Sequence, residues 1–425
     1  MRAARIVLAG LLLAAGAAAR ADQAEPARIT EYRLPPEKQA QAEGLYRTRN
    51  ELTLASLVLG IAVPIALLQL RVAPRYRDVA ERTSRRRVVQ APVFVPLTLL
   101  TLALVSLPVD VYGQHVSRAY GLSVQGWGSW LGDWAMGQLL TLAIAVPMLL
   151  GLYAIVRRSP DRWWLYFWLL TVPVAVLLVF VGPVLLDPLF DTFEPLEQTQ
   201  PQLVEPIESV AVRGGLEIPR ERLFEMKASE KVTTYNAYVT GLGATKRVVV
   251  WDNTARDLTI PQTQFIFGHE LGHYVLGHVY QEIAFVLAIL LACFWLGRKL
   301  VSWLLARWGE GWGVRGVGDW ASLPVLILAL SVMLFVATPV QSAFSRYCEH
   351  QADVYGLEVT HGLLPDSAQV AAATFQKLGE KSLAYPTPNP LLVFWSYGHP
   401  PIADRMEFAL GYHPWSSPPG PRYVK

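Results

Sequence analysis

Apolar residues dominate six windows of the chain, at 53–70, 93–109, 136–156, 163–186, 283–297 and 322–340. Each approaches the roughly 20 residues that a helix needs to cross the hydrocarbon of a bilayer, so six transmembrane helices are predicted. The fifth window is short, but the segment before it also reads as helix, and a long helix rising from solution into lipid is expected there. Pro64, Pro96, Pro147 and Pro173 fall inside windows, where neighbouring spans re-satisfy the carbonyls a proline frees. A further apolar run, 6–19, follows Arg2 and Arg5 and ends in Ala19-Arg20-Ala21, the small-x-small pattern of a secretory cleavage site. A signal peptide over 1–21 is expected; the alternative is a retained seventh span. The remaining chain divides into a membrane domain with four spans, 22–186, and a polar part, 187–425, interrupted by the spans at 283–297 and 322–340. The predicted fold is a predominantly α-helical polytopic membrane protein with six or seven transmembrane helices.

Composition agrees: 52% of the 425 residues are hydrophobic and 17% charged, against about a quarter charged in ordinary soluble domains. A net charge of +3 without clustered Lys and Arg excludes a nucleic-acid footprint. Two cysteines, Cys293 and Cys348, exclude a disulfide framework or a thiolate metal cluster. Charge does fix an orientation. The loops 71–92, 157–162 and 298–321 hold fourteen Lys and Arg between them, whereas the alternate short loop, 110–135, holds only Arg118. By the positive-inside rule the three basic loops face the cytoplasm, and both long polar pieces lie outside, as expected for a bacterial inner-membrane protein. Thr254, in the first of these pieces, is expected to be exposed. Nothing in the sequence sets an oligomeric state.

Chemistry enters at His269-Glu270-Leu271-Gly272-His273. The two histidines, four apart, share one face of a helix and hold a zinc ion between them, while Glu270 is aimed at the attacking water as its general base. The reaction class is peptide hydrolysis. Such a site needs a third protein ligand, and Arg346, Glu349 and Asp353 recur downstream at helical spacing. In isolation that segment reads as a solvated helix; beside the first motif, Glu349 is expected to complete a site for one zinc ion per chain. Asp353, one turn later, is placed to accept the free N–H of a ligating histidine. His278 and His350 are not needed for three ligands.

His269-Glu270-Leu-Gly-His273 followed after two spans by Ser345-Arg346-x-x-Glu349-x-x-Ala352-Asp353 resembles the membrane gluzincin family of the type I CAAX prenyl endopeptidases. Three other stretches resemble that family in the same order: Asp187-Pro-Leu-Phe-Asp-Thr-Phe-Glu-Pro195, its exit from the last span before the catalytic domain; 236–252, its substrate-lining strand; and His399-Pro400-Pro401-x-x-x-Arg405, its C-terminal motif. The resemblance runs from about residue 95 to about residue 410. It implies a zinc endopeptidase with a large intramembrane chamber and a zincin-type α+β catalytic domain. It implies His269, His273 and Glu349 on zinc, Glu270 as base, and Asn236, Ala237, His399 and Arg405 near substrate. A strand over 232–239 would hold an extended peptide by edge pairing, and His399 would donate to the oxyanion; the alternative for His399 is a turn histidine before Pro-Pro.

The expected partners are the bilayer and a peptide or protein substrate. Eukaryotic members face the cytosol, whereas the loop charges here place catalysis outside. Damaged envelope proteins are therefore an alternative to prenylated peptides, and an inactive membrane scaffold is the alternative to an enzyme. A site-2-type protease is disfavoured, because the histidine motif precedes the span at 283 and the span at 322–340 holds no acid. A transporter usually keeps ionisable groups at mid-membrane, and these spans have almost none.

Overall fold

The computed structural model describes residues 28–241, 246–416 and 418–424; the expected signal peptide lies outside the described residues. Four long helices form the first part: α1 (Pro36–Gln69), α3 (Arg87–Ala119), α4 (Trp127–Arg158) and α5 (Trp163–Leu185), with the short amphipathic α2 (Val72–Thr83) between the first two. Then come β1 (Phe193–Pro195), α6 (Pro201–Arg213), β2 (Leu223–Met226), β3 (Ala237–Thr240) and β4 (Arg247–Trp251). The helices α7 (Ile260–Val275), α8 (His278–Trp312), α9 (Leu323–Thr360), α10 (Ser367–Ser382), α11 (Pro390–Ser396) and α12 (Ile402–Gly411) complete the chain.

Six helices among the described residues are long and apolar enough to cross a membrane, and each covers one of the predicted windows to within one residue at either end. All but α5 extend well beyond them. The single helix expected to rise from solution through the fifth window is instead two: α7 ends, Gly277 adopts φ 71°, and α8 starts at His278. That left-handed turn costs glycine little and other residues more. Conversely, the last window and the Glu349 segment are one uninterrupted helix, α9.

The basic loops meet at one end of the bundle. Arg77, buried in α2, donates to Asp319 at 2.8 Å and to the Gly313 carbonyl at 3.0 Å, and Arg315 donates to Glu81 at 3.0 Å. At the other end the loop 120–126 joins the polar part, where Val124 N–H donates to the Lys231 carbonyl at 3.0 Å and the Thr233 hydroxyl to that of Gly121 at 2.8 Å.

The sheet has the order β1-β2-β4-β3, with β2 and β4 parallel and both outer pairs antiparallel, so β3 is an edge strand. It is shorter than the strand expected over 232–239: Val232 makes only an isolated bridge with Ser123. Val248 and Val250 of β4, Ile207 of α6, Leu271 of α7 and Tyr355 of α9 share one core. A second core crosses the boundary drawn at residue 186. Tyr32, Leu34, Ala42 and Leu45 pack with Phe265, Phe375 and Met406, so the N-terminal half of α1 belongs to the core around the C-terminal helices.

Candidate metal centre and cleft

Helix α7 is fixed at its start by a capping box, in which the Thr259 hydroxyl accepts from Gln262 N–H and the Gln262 side chain accepts from Thr259 N–H. It lies against α9 at very short range. A methyl group added at Gly356 would sit 3.0 Å from His269 N, and one added at Gly272 would sit 3.2 Å from the Ala352 Cα. Only glycine permits that approach, and the approach carries Glu349 to the histidine pair.

The Nε2 atoms of His269 and His273 are 3.2 Å apart. Glu349 Oε2 is 3.5 Å from the first and Oε1 3.3 Å from the second. One ligand atom from each of the three residues lies within 4.8 Å of the others. Hydrogen-bond logic makes the imidazole nitrogens lone-pair donors toward this point. His269 Nδ1 is 2.9 Å from buried Asp353 Oδ1, so the ring proton sits on Nδ1 and Nε2 is bare. For His273 the same result comes through two side chains that sequence reasoning set aside or missed. Gln351 donates from Nε2 to the hydroxyls of Tyr347 and Tyr423 at 3.1 and 3.0 Å, and its Oε1 accepts from His278 Nε2 at 3.1 Å. A His278 that carries its proton on Nε2 presents a bare Nδ1, which accepts the Nδ1–H of His273 at 3.0 Å. His273 Nε2 is then bare as well.

Two facing lone pairs are an unstable arrangement unless a cation lies between them. Burial pulls the His269 imidazole down, but the Asp353 and Glu349 carboxylates beside it outweigh that and raise it: the acids call for positive charge here. Glu349 Oε2 is buried with no hydrogen-bond donor. The donor set of two imidazoles and a carboxylate fits a divalent zinc ion.

The residues expected near substrate all line one cleft of about 320 Å³ with the histidines: Asn236, Ala237, Glu270, His399 and Arg405. Burial pushes the Glu270 carboxyl up against the lowering influence of His269 and His273. His399 is exposed to the cleft, with Nε2 3.2 Å from Glu349 Oε1. The loop bearing it is held by Arg346, whose guanidinium donates to the Val393 and Tyr397 carbonyls at 2.9 and 2.7 Å. Arg405 lines the cleft but is committed to Asp353, donating from Nε at 2.9 Å and from Nη2 at 2.7 Å. Asn236 is exposed beside the edge strand, and its Oδ1 accepts from Ala237 N–H at 2.9 Å. Thr254, expected to be exposed, is fully buried, because its hydroxyl ties the Asn236 backbone to the following helical turn at 2.7 and 2.8 Å. His350 stacks edge-on against Phe408, away from the site. Tyr238, from the 236–252 stretch, also lines the cleft, as do Phe375 and Leu378, which no sequence motif marks.

Comparisons with known proteins place this geometry. The model of peptidase family M48 matches residues 197–412, and that of the CAAX prenyl protease N-terminal domain, five membrane helices, matches residues 18–192. An uncharacterized metalloprotease of Bacillus subtilis, YhfN, is 35% identical over 92% of this chain and 89% of its own length. The human CAAX prenyl protease 1 homolog is 25% identical over 79% of this chain and 77% of its own. The crystal structure of S. mikatae Ste24p shares the fold, with a TM-score of 0.75 and 24% identity over 89% of this chain and 90% of that one. The chain therefore belongs to peptidase family M48, as a polytopic membrane metallopeptidase of the CAAX prenyl protease type.

Proposed function

We propose that His269, His273 and Glu349 hold one zinc ion per chain and that Glu270 is the general base of an endopeptidase acting on extended peptides. The observation that carries this reading is the convergence of the three ligand side chains, with their lone pairs directed inward, in the cleft that also holds Glu270. When bound, zinc supplies Lewis acidity to the attacking water and the scissile carbonyl. The protein supplies the rest. Glu270 takes a proton from the water and passes it to the leaving amine. His399, open to the cleft and restrained through Arg346, donates to the carbonyl oxygen as charge builds there. Asp353 and Arg405 hold His269 in its ligating tautomer. The free edge of β3, beside Asn236 and Ala237, pairs with the backbone of an extended peptide.

The orientation of the basic loops supports an extracytoplasmic catalytic face in a bacterial inner membrane. The first span, α1, and the end of α3 are tied to the polar part, 187–425, by the core they share with it. Replacing Glu270 by Gln tests the mechanism: hydrolysis is lost while zinc content, read by metal analysis, stays at one per chain. Comparable turnover in the metal-loaded variant would overturn the assignment of the base.

A further inference from the structure

A second groove, about 700 Å³, opens from the metal cleft and shares Tyr235, Leu378, His399 and Arg405 with it. Its far wall is α1, which contributes Tyr46, Arg49 and Asn50. Among the described residues no carboxylate lines this groove, although two arginines and a histidine do. The cations around it are otherwise committed. Arg405 is held by Asp353, Lys38 pairs with Glu380 at 3.5 Å and Arg47 with Glu43 at 3.1 Å. Arg49, among the described residues, has neither an ion-pair partner nor a hydrogen bond to its guanidinium. It stands four residues before the first apolar window with its side chain exposed and lining the groove, so its guanidinium is open to an anion that enters there.

We propose that this groove is an arm of the substrate site and that Arg49 seats a carboxylate of the bound peptide, either its C-terminus or an acidic side chain. The proposal rests on the protease reading above and adds a charge preference to it. A guanidinium fork matches a carboxylate with two parallel N–H···O bonds. Asn50, next to it on α1, adds an amide donor. The groove shares His399 and Arg405 with the metal cleft, so a peptide whose scissile bond lies beside Glu270 can extend along it to Arg49. The Arg346 bonds to the Val393 and Tyr397 carbonyls keep the intervening wall in place.

The test uses the full chain in nanodiscs, in the zinc-loaded Glu270→Gln form so that binding is read without turnover. The probes are three fluorescent peptides of one sequence: a C-terminal acid, the same peptide as a C-terminal amide, and the amide with one acidic side chain near that end. Anisotropy gives the dissociation constants. The expected result is tighter binding of one or both carboxylate peptides than of the neutral amide, by about tenfold or more, the size of a hydrogen bond to a charged group. Which peptide gains identifies the carboxylate. Adding Arg49→Gln removes the difference between the carboxylate peptides and the neutral amide, while Arg49→Lys restores part of it.

Equal binding of all three peptides, including no binding of any, overturns the proposal, as does a carboxylate preference that survives Arg49→Gln. Loss of the preference when anionic lipid replaces zwitterionic lipid assigns Arg49 to a lipid headgroup and overturns it too. Because the readout is binding, a protein that shows the preference yet has no hydrolytic activity with Glu270 restored would sink the protease reading and keep the anion site.

Discussion

Substituting Gly356 by Ala probes how tightly the metal ligands depend on the contact between α7 and α9. The added methyl would lie 3.0 Å from His269 N, 3.2 Å from its Cα and 3.4 Å from its Cβ. These are backbone atoms and the root of a ligand, not the far end of a side chain that can swing aside. Restoring ordinary contact distances of about 3.5–4 Å requires the helices to part by roughly 0.5 Å at this point. Metal sites tolerate about 0.2 Å in ligand distance, and Glu349 is on one helix while both histidines are on the other. Overpacking of this kind costs about 1–3 kcal/mol. The expected outcome is a lowered melting temperature and zinc affinity weakened about tenfold or more, measured by competition with a chelator of known affinity. Gly297→Ala serves as control, since an added methyl there meets nothing within 4 Å. Wild-type zinc affinity in a folded Gly356→Ala protein would refute the reasoning.

Other outcomes separate ligands from their supports. Glu349→Ala is expected to remove most bound zinc, whereas Asp353→Ala weakens binding about 10- to 100-fold, as losses behind a ligand do; retention of normal zinc by Glu349→Ala would place the third ligand elsewhere. Gln351→Leu, which takes away the acceptor that sets the His278 proton, is expected to weaken zinc about tenfold, and Gln351→Glu, which keeps an acceptor, to preserve it; identical affinities in the two variants would remove His278 from the account. Topology is read by cysteine labelling, with both native cysteines buried. Exposed Glu221→Cys should react with an impermeant maleimide in intact spheroplasts, and exposed Arg85→Cys only after lysis; the reverse pattern would put the metal centre in the cytoplasm.

The parts of this site that sequence makes legible are those set by one helix. His269 with His273, and Glu349 with Asp353, are spacings of four on a 3.6-residue repeat, and the structure places each pair on one face. What joins the two helices is not periodic: Gly272 and Gly356 matter for the side chain they lack, and no motif reports that. The same holds for Tyr32 and Leu45 packing against Phe375 and Met406, contacts more than three hundred residues apart in the chain. The break at Gly277 was readable in principle, since a glycine precedes His278, yet helical composition on both sides masked it. His278 looked superfluous by ligand count; its use appears only when Gln351, from another helix, fixes which nitrogen carries the proton.

Helix α9 runs without a break from the membrane to the metal centre, and this makes it a ruler. Nine residues separate the end of its apolar stretch at Val340 from Glu349, a rise of about 13 Å at 1.5 Å per residue. The spacing between the apolar stretch and Glu349 is therefore set within one helix rather than left to a linker. An extended chain covers about 3.3 Å per residue, so a peptide anchored in the bilayer must offer roughly four extended residues before the bond it presents to Glu270.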